Sequence, residues 1–233
     1  MKKLLALSSV LALGLALSAC ETTMHDGMKK DMAKKEMAKP AGKPVGITGS
    51  MMDVSFKDAS GASHTISRNQ DNSATVNEHY VKTSRPCPPF CIQPMTLAPG
   101  VDTIGEVEVL HYIKQMHSGE PVIVQDSRTP DWHERVHIPG TVNISFKTLS
   151  TSHGADPIGI AEIMTEQFGV VEEEGILKYS NAKTLVLYCN GMWCGQSPAA
   201  IKTLLKLGYP AHKIKWYRGG MQSWTNLGLT TSK

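Results

Sequence analysis

From residue 103 onward, short apolar runs alternate with segments of helical periodicity, and this alternation constrains the fold more than any other feature. The runs P-V-I-V-Q-D, T-L-V-L-Y-C and K-I-K-W-Y are typical of buried strands. Helical patterns lie between them, for example at residues 157–168. Strands separated by helices favour crossover connections. We therefore predict an α/β domain over residues 103–233, with a mostly parallel, twisted sheet flanked by helices.

Two helix starts are marked by clear capping signals in the sequence. Thr103 and Glu106 have the spacing of a capping box, just before an apolar-periodic segment. Ser197 is placed as the N-cap of a later helix, with a proline in its first turn and Gly208 after its end. The sequence predicts helices beginning directly after Thr103 and Ser197.

The first nineteen residues form an export signal, with basic residues at positions 2 and 3 and an apolar stretch behind them. The ending Leu17-Ser18-Ala19-Cys20 resembles the lipobox of bacterial lipoproteins. That resemblance implies cleavage before Cys20, acylation of its thiol and anchoring to a membrane by lipid. Glu21 follows in place of the aspartate that retains lipoproteins at the inner membrane, so we expect the periplasmic face of the outer membrane. The alternative is an ordinary secretory signal with an accidental cysteine.

Two further regions separate the signal from the α/β domain. Residues 20–45 are rich in Lys, Met and Ala and are predicted to be a flexible tether, because they cannot bury enough apolar area to offset chain entropy. Residues 46–102 are predicted to be a β-containing extension. It begins with a hairpin, M-D-V-S-F-K and H-T-I-S-R around D-A-S-G-A-S. A stiff proline-rich stretch containing C-P-P-F-C follows it.

The chain has five cysteines, and lipidation of Cys20 leaves four. An exported protein permits disulfides, but four cysteines allow three pairings. Cys87 and Cys91 can close a small ring or pair with the later cysteines, and a zinc site built from both pairs is formally open. The net charge is only +3 and arginine is scarce, so nothing here indicates a nucleic-acid surface.

The segment Y-C-N-G-M-W-C-G-Q-S carries the chemistry. Cys189 ends a buried strand, and the loop after it leads into a helix N-terminus. Ligands of open α/β sheets bind at the carboxyl ends of strands, where free N–H groups and the helix dipole favour anions. A thiol held there has a lowered pKa and gains nucleophilicity. Gly191 and Gly195 supply the backbone freedom that a tight anion cradle needs.

Three segments together resemble a single rhodanese (sulfurtransferase) domain over about residues 104–230. The first is Asp126-Ser127-Arg128 with His137-Ile138-Pro139-Gly140-Thr141-Val142-Asn143-Ile144. The second is the Cys189 loop with its helix. The third is Tyr217-Arg218-Gly219-Gly220-Met221 with Trp224 and Gly228. Their order matches that of the family.

The resemblance implies a mechanism in two half-reactions. Cys189 attacks the outer sulfur of thiosulfate or another sulfane donor, and a cysteine persulfide passes that sulfur to cyanide or a thiol. The expected ligand is thus a small sulfur-containing anion or a thiol, with no cofactor and no metal. The loop residues expected to bind it are Asn190, Gly191, Met192, Trp193, Gly195, Gln196 and Ser197. Asp126, Arg128, His137 and Gly140 are expected to be structural.

The loop departs from the family pattern in two ways. Position 194 is Cys where the family has Arg or Ser, and the loop is two residues longer if Ser197 caps the helix. It contains no arginine, which weakens the case for thiosulfate itself and argues against the related phosphatases. Arg218 is the first candidate to replace the missing cation. Arg85 is a second, if the proline-rich segment folds over the site.

Cys194 leaves two other functions open. It can resolve a persulfide or sulfenate on Cys189, which gives a thiol–disulfide switch or sulfur sensor served by a periplasmic redox protein. A permanent disulfide between Cys189 and Cys194 would instead leave an inert binding module.

Overall fold

The computed structural model describes residues 42–233, which form one compact unit. The predicted signal peptide, Cys20 and most of the tether lie outside the described residues. None of the described helices is both long and apolar enough to cross a membrane.

Nine strands and six α-helices lie in the described part of the chain. The strands are β1 Asp53–Lys57, β2 Ser63–Ser67, β3 Asp102–Ile104, β4 Val122–Asp126, β5 Val142–Asn143, β6 Val171–Glu173, β7 Ile176–Lys178, β8 Thr184–Tyr188 and β9 Ile214–Tyr217. The helices are α1 Glu106–His117, α2 Pro130–Arg135, α3 Phe146–Leu149, α4 Pro157–Gln167, α5 Gln196–Lys206 and α6 Gly220–Asn226.

The central sheet has five parallel strands in the order β3-β9-β8-β4-β5. Its middle strands β4 and β8 are buried along almost their whole length. Helices cover both faces of such a sheet, so its strands read as continuous apolar runs. The predicted α/β class, with a mostly parallel sheet flanked by helices, is confirmed.

Alternate residues of the central strands point to opposite faces of the sheet and contribute to two separate hydrophobic cores. On one face, α4 and α5 pack against β4, β8 and β9 through Ile123, Ile160, Met164, Leu185, Leu187, Ile201, Leu204 and Trp216. On the other face, α1 and α6 pack through Val109, Leu110, Ile113, Val124, Val186, Tyr188, Met221 and Trp224. Since the central strands are anchored on both sides, the carboxyl end of β8 is held rigidly.

The predicted hairpin is present. Strands β1 and β2 pair antiparallel, with Val54 opposite Ile66, and both of these side chains join the α1–α6 core. Directly after β2, Arg68 forms an isolated antiparallel β-bridge with Leu229 near the C-terminus. The extension therefore packs onto the α/β domain, and it brings the proline-rich stretch to the edge of the sheet where β8 ends.

Both predicted helix starts are wrong in detail. Thr103 lies in β3, and α1 begins after Gly105, whose N–H donates to the Glu108 carboxylate at 3.0 Å. Ser197 is the second residue of α5, whose N-cap is Gly195, because the serine side chain turns inward and is fully buried. The short strands β3, β5, β6 and β7 and the short helices α2 and α3 were not predicted, since they span too few residues to show a period.

Candidate active site

Cys189 directly follows β8, at the carboxyl edge of the sheet. The loop of residues 189–195 then leads into α5, which begins at Gln196. A turn closes the loop, because the Cys194 N–H donates to the Gly191 carbonyl at 2.9 Å. The sequence prediction of a strand, a loop and a helix N-terminus around Cys189 matches this geometry.

The start of α6 holds the active-site loop through two backbone hydrogen bonds. The Met221 N–H donates to the Cys189 carbonyl at 3.0 Å, and the Gln222 N–H donates to the Asn190 carbonyl at 2.9 Å. Gly220 has φ +55°, and a Cβ there would lie 2.4 Å from the Cys189 carbonyl oxygen. Only glycine fits this approach, so the shape of the loop depends on the segment that precedes α6.

The Cys189 sulfur sits in a ring of donors. Cys189 is buried, with 2% of its surface exposed. Burial by itself raises the pKa of Cys189, but hydrogen bonds from the Cys194 thiol, the Ser197 hydroxyl and the N–H groups of Ser197 and Gly191 lower it to about 7. A thiol with that pKa is substantially ionised at neutral pH, which is the reactive form of cysteine.

Two buried polar atoms of the loop and of α5 are unpaired within the described part of the chain. They are the Ser197 hydroxyl and the Asn190 side-chain oxygen. The Ser197 hydroxyl has no partner of good geometry around the thiol form, so we attribute its effect on the pKa of Cys189 to the thiolate, which accepts its hydrogen. Donors that are satisfied only by an anion favour the charged state.

Cys194 is held differently from Cys189. It is 4% exposed, and the Asn190 amide donates to its sulfur at 3.9 Å. Its one thiol proton is directed at the Gln196 side-chain oxygen at 3.6 Å and can turn to the Cys189 thiolate instead. Burial and the neighbouring Cys189 raise the pKa of Cys194. The site therefore contains one ionisable nucleophile and one thiol that keeps its proton, and both are free thiols.

The outer wall of the loop is formed by Met192 and Trp193. The Met192 carbonyl accepts from the Gln93 N–H at 2.8 Å, and the Trp193 indole donates to the Gln222 side chain at 2.8 Å. The Trp193 ring also meets Phe90 edge-on at 5.5 Å. These two predicted substrate-binding residues thus join the active-site loop to the proline-rich stretch.

Neither candidate cation lies among the donors to the sulfur. The Arg218 guanidinium binds the carbonyls of Gln93, at 2.8 Å, and Pro94, at 3.2 Å. The Nε and Nη2 donors of Arg218 thus hold the proline-rich stretch, and a role of Arg218 as the missing loop cation stays a prediction. The Arg85 guanidinium stacks on Trp193, 4.3 Å from the ring centroid, so this arginine reaches the outer wall of the loop.

Cys87 and Cys91 form a disulfide with each other. The pairing with the later cysteines and the zinc site that uses both pairs are thereby excluded in this structure. Within residues 42–233, no group of three or more His, Cys, Asp or Glu side chains is placed to hold a metal ion.

The motif around residues 126–140 braces the sheet edge. Asp126 and Arg128 are fully buried and joined at 2.6 Å. Burial opposes ionisation of Asp126, yet hydrogen bonds from His133 and Arg128 hold its pKa below the usual value. His137 binds the His133 carbonyl at 2.9 Å, and burial lowers its pKa. The Gly140 carbonyl is bound by a histidine of α1 at 2.9 Å.

Sequence reasoning missed three residues of the extension and of α6: Tyr80, Phe90 and Gln222. Tyr80 is buried, and its hydroxyl has no partner among the described residues. Burial raises the pKa of Tyr80 to about 12, and the charges of Cys194 and Cys189 act in the same direction. The phenol is thus within electrostatic reach of both sulfurs. No motif marks these positions, and two of the three lie outside the segment that resembles the family.

Comparison with known proteins agrees with this geometry. The family model described as Rhodanese-like domain matches residues 109–227, just over half of the chain. The chain belongs to the rhodanese-like domain family.

Individual relatives are distant. A thiosulfate:glutathione sulfurtransferase of Saccharomyces cerevisiae is 28% identical over 108 residues, which is 46% of this chain and 67% of the yeast protein. A human single-domain sulfurtransferase structure is 18% identical, with a TM-score of 0.35, over 53% of this chain and 95% of its own. A Bacillus halodurans protein structure is 21% identical with a TM-score of 0.37, over 53% and 70%. The family and the yeast relative support a sulfurtransferase-type role.

Proposed function

We propose that this protein is a sulfurtransferase that carries sulfane sulfur as a persulfide on Cys189. The observation that carries the proposal is the ring of donors around a buried cysteine whose pKa is lowered to about 7. The same N–H groups can hold the extra sulfur as an anion, because a persulfide places its negative charge one atom further into the cradle.

The two half-reactions balance without an oxidant. The Cys189 thiolate attacks the outer sulfur of thiosulfate, the S–S bond of the donor breaks, and sulfite leaves with its electron pair. Cyanide or a thiolate then attacks the outer sulfur of the persulfide, and Cys189 leaves as the thiolate. Thiocyanate or an organic persulfide is the product.

The donor set favours sulfane donors of low charge. The described loop residues contain no cation, and the Arg218 guanidinium is occupied by backbone carbonyls. A dianion such as thiosulfate therefore finds only neutral donors, whereas an organic persulfide carries less charge into the site. Cys194 keeps its proton and can donate a hydrogen bond to the sulfur that leaves.

A thiol–disulfide function is the second candidate, and the closeness of Cys189 and Cys194 favours it. The Cys194 thiolate can attack the inner sulfur of a Cys189 persulfide, which forms a disulfide and releases hydrogen sulfide. A periplasmic dithiol protein would then reduce the disulfide. The raised pKa of Cys194 slows this step, so we rank it behind transfer to an external acceptor.

The location is also a proposal. The segment Leu17-Ser18-Ala19-Cys20 and the glutamate after it support a lipid anchor on Cys20 at the periplasmic face of the outer membrane. Metabolic labelling with a radioactive fatty acid tests this: the label should be present in the natural chain and absent in Cys20→Ala.

The transferase proposal is tested with thiosulfate or an organic persulfide as donor and cyanide as acceptor. We expect thiocyanate formation, and mass spectrometry should find one added sulfur on the Cys189 peptide after donor treatment. Cys189→Ser should lose both signals and Cys87→Ser/Cys91→Ser should keep both. Turnover that survives in Cys189→Ser would reject the proposal.

A further inference from the structure

A cavity of about 670 Å³ lies against the outer wall of the active-site loop. One side is formed by Met192 and Trp193 of the loop. The other side belongs to the extension and includes Arg85, Phe90 and the Cys87–Cys91 disulfide. Its volume is that of a pocket for a small organic molecule, and the family match at residues 109–227 does not include the extension side.

Arg85 is the cavity's most informative residue. Its guanidinium stacks 4.3 Å from the Trp193 ring centroid and 5.1 Å from that of Phe90, so two aromatic rings fix its position. Its Nε atom is buried and has no hydrogen-bond partner among residues 42–233. Arginine stays charged at every physiological pH, and a buried donor left without a partner is costly. A fixed, unpaired cation of this kind is suited to an anionic group of a ligand.

The rest of the wall defines the ligand further. Among the described residues that line the cavity, the charged ones are Arg85 and Lys82, and both are cationic. Phe90, Met192, Trp193 and the disulfide offer apolar and polarisable surface. A small inorganic anion would pair with the cations but leave this surface in contact with water. An organic molecule that carries a carboxylate uses both parts.

We propose that this cavity binds the sulfur acceptor, and that the acceptor is an organic thiol bearing a carboxylate, which pairs with Arg85. The inference rests on the proposed transferase function. The acceptor thiolate attacks the outer sulfur of the Cys189 persulfide, the S–S bond to Cys189 breaks, and the organic persulfide departs. Cys189 returns to the thiolate, so no oxidant or reductant is consumed. The extension thereby supplies the cation that the loop lacks.

The test uses two acceptors with the same thiol, glutathione and its diethyl ester, in which both carboxylates are masked as esters. Cys189 is first loaded with sulfane sulfur, and the rate of persulfide discharge is followed after rapid mixing. Arg85→Gln should slow discharge by glutathione about tenfold, the loss expected for one charge-assisted hydrogen bond. Discharge by the diethyl ester and by cyanide should not change. An equal loss for glutathione and its ester, or no loss, would overturn the proposal.

A matched control removes the same charge elsewhere. Arg135 stacks over Trp132 at 5.6 Å and does not line the cavity, so Arg135→Gln should leave glutathione discharge unchanged. An equal slowing in Arg135→Gln would reduce the effect to net charge and reject the site.

A binding measurement separates this proposal from the transferase proposal. S-Methylglutathione cannot accept sulfur, so calorimetry with it does not depend on persulfide formation. We expect it to bind the natural chain, and about tenfold more weakly in Arg85→Gln. Absent binding, or equal binding by both proteins, contradicts the site even if turnover is normal. Normal binding with no persulfide on Cys189 contradicts the transferase proposal alone.

Discussion

The two cysteine pairs of this molecule have opposite characters. Cys87 and Cys91 are joined in a disulfide on a proline-rich stretch at the surface. Cys189 and Cys194 are free, buried and unequal in pKa. Their spacings along the chain are similar, so spacing does not explain the difference. The backbone around each pair does.

The contrast lies in what the backbone offers to sulfur. The free pair follows a buried strand, where N–H groups of Gly191 and Ser197 point at Cys189 and stabilise a charge. The joined pair closes a short ring of residues with few such donors. One pair is therefore placed where a thiolate is stabilised, and the other belongs to the stretch that sets Arg85 and Phe90 against Trp193.

The largest effect should come from removing the nucleophile. Cys189→Ser should lower turnover by at least about a thousandfold, as is typical when a covalent nucleophile is removed. Steady-state thiocyanate formation measures this. Cys87→Ser/Cys91→Ser serves as the comparison, since the ring takes no part in bond formation. If both variants lose activity equally, the two pairs do not have separate roles.

The next effect concerns the backbone that shapes the reactive loop. Gly220→Ala should destabilise the protein by about 2 kcal/mol or more, because φ is +55° and the new Cβ would meet the Cys189 carbonyl. Urea unfolding measures the change. Gly195→Ala is the matched control at the other end of the loop, where a Cβ meets no atom within 4 Å. Equal stability of the two variants would contradict the described approach of α6.

A smaller effect is expected from removing the Cys194 thiol. The hydrogen bond from Cys194 lowers the pKa of Cys189, so Cys194→Ala should raise that pKa. The thiolate fraction at pH 7 then falls, and alkylation of Cys189 should slow about five- to tenfold. Above pH 9 the rates of the natural chain and the variant should converge, because Cys189 is then ionised in both proteins. Cys194→Ser keeps a donor and should lose less. A slower rate that persists at high pH would point to blocked access instead.

The smallest effect should come from removing the Cys87–Cys91 disulfide, which closes the short ring. Cys87→Ser/Cys91→Ser should reduce the free energy of unfolding by no more than about 2 kcal/mol, the scale for so short a loop. Discharge of the persulfide by glutathione should slow severalfold, because Arg85 loses its fixed position. Cyanide discharge is the control. An unchanged glutathione rate would show that the ring does not position Arg85.

Local signals in the sequence were enough for the parallel α/β domain and the placement of Cys189. Continuous apolar runs marked β4 and β8, and the glycines and proline around α5 marked the loop and helix. They failed where side-chain direction decides the outcome. Ser197 has the composition of a cap, but packing turns it inward toward the sulfur.

The outer wall of the site could not be predicted, because it depends on long-range packing. The sequence favoured Arg218 over Arg85 as the missing cation, and only the fold places Arg218 on backbone carbonyls and Arg85 on Trp193. Tyr80 precedes the two cysteines by 109 or more positions, yet the fold brings it within electrostatic reach of both sulfurs. No local pattern in the sequence encodes that approach.

We propose that main-chain and hydroxyl donors hold Cys189 as a thiolate, and the pH dependence of its alkylation can contradict this. Reduced, folded protein is treated with iodoacetamide at a series of pH values, and the Cys189 peptide is quantified by mass spectrometry. We expect the alkylation rate to rise with pH through a midpoint near 7, below the value of about 8.5 for free cysteine. A midpoint at or above that of free cysteine would contradict it.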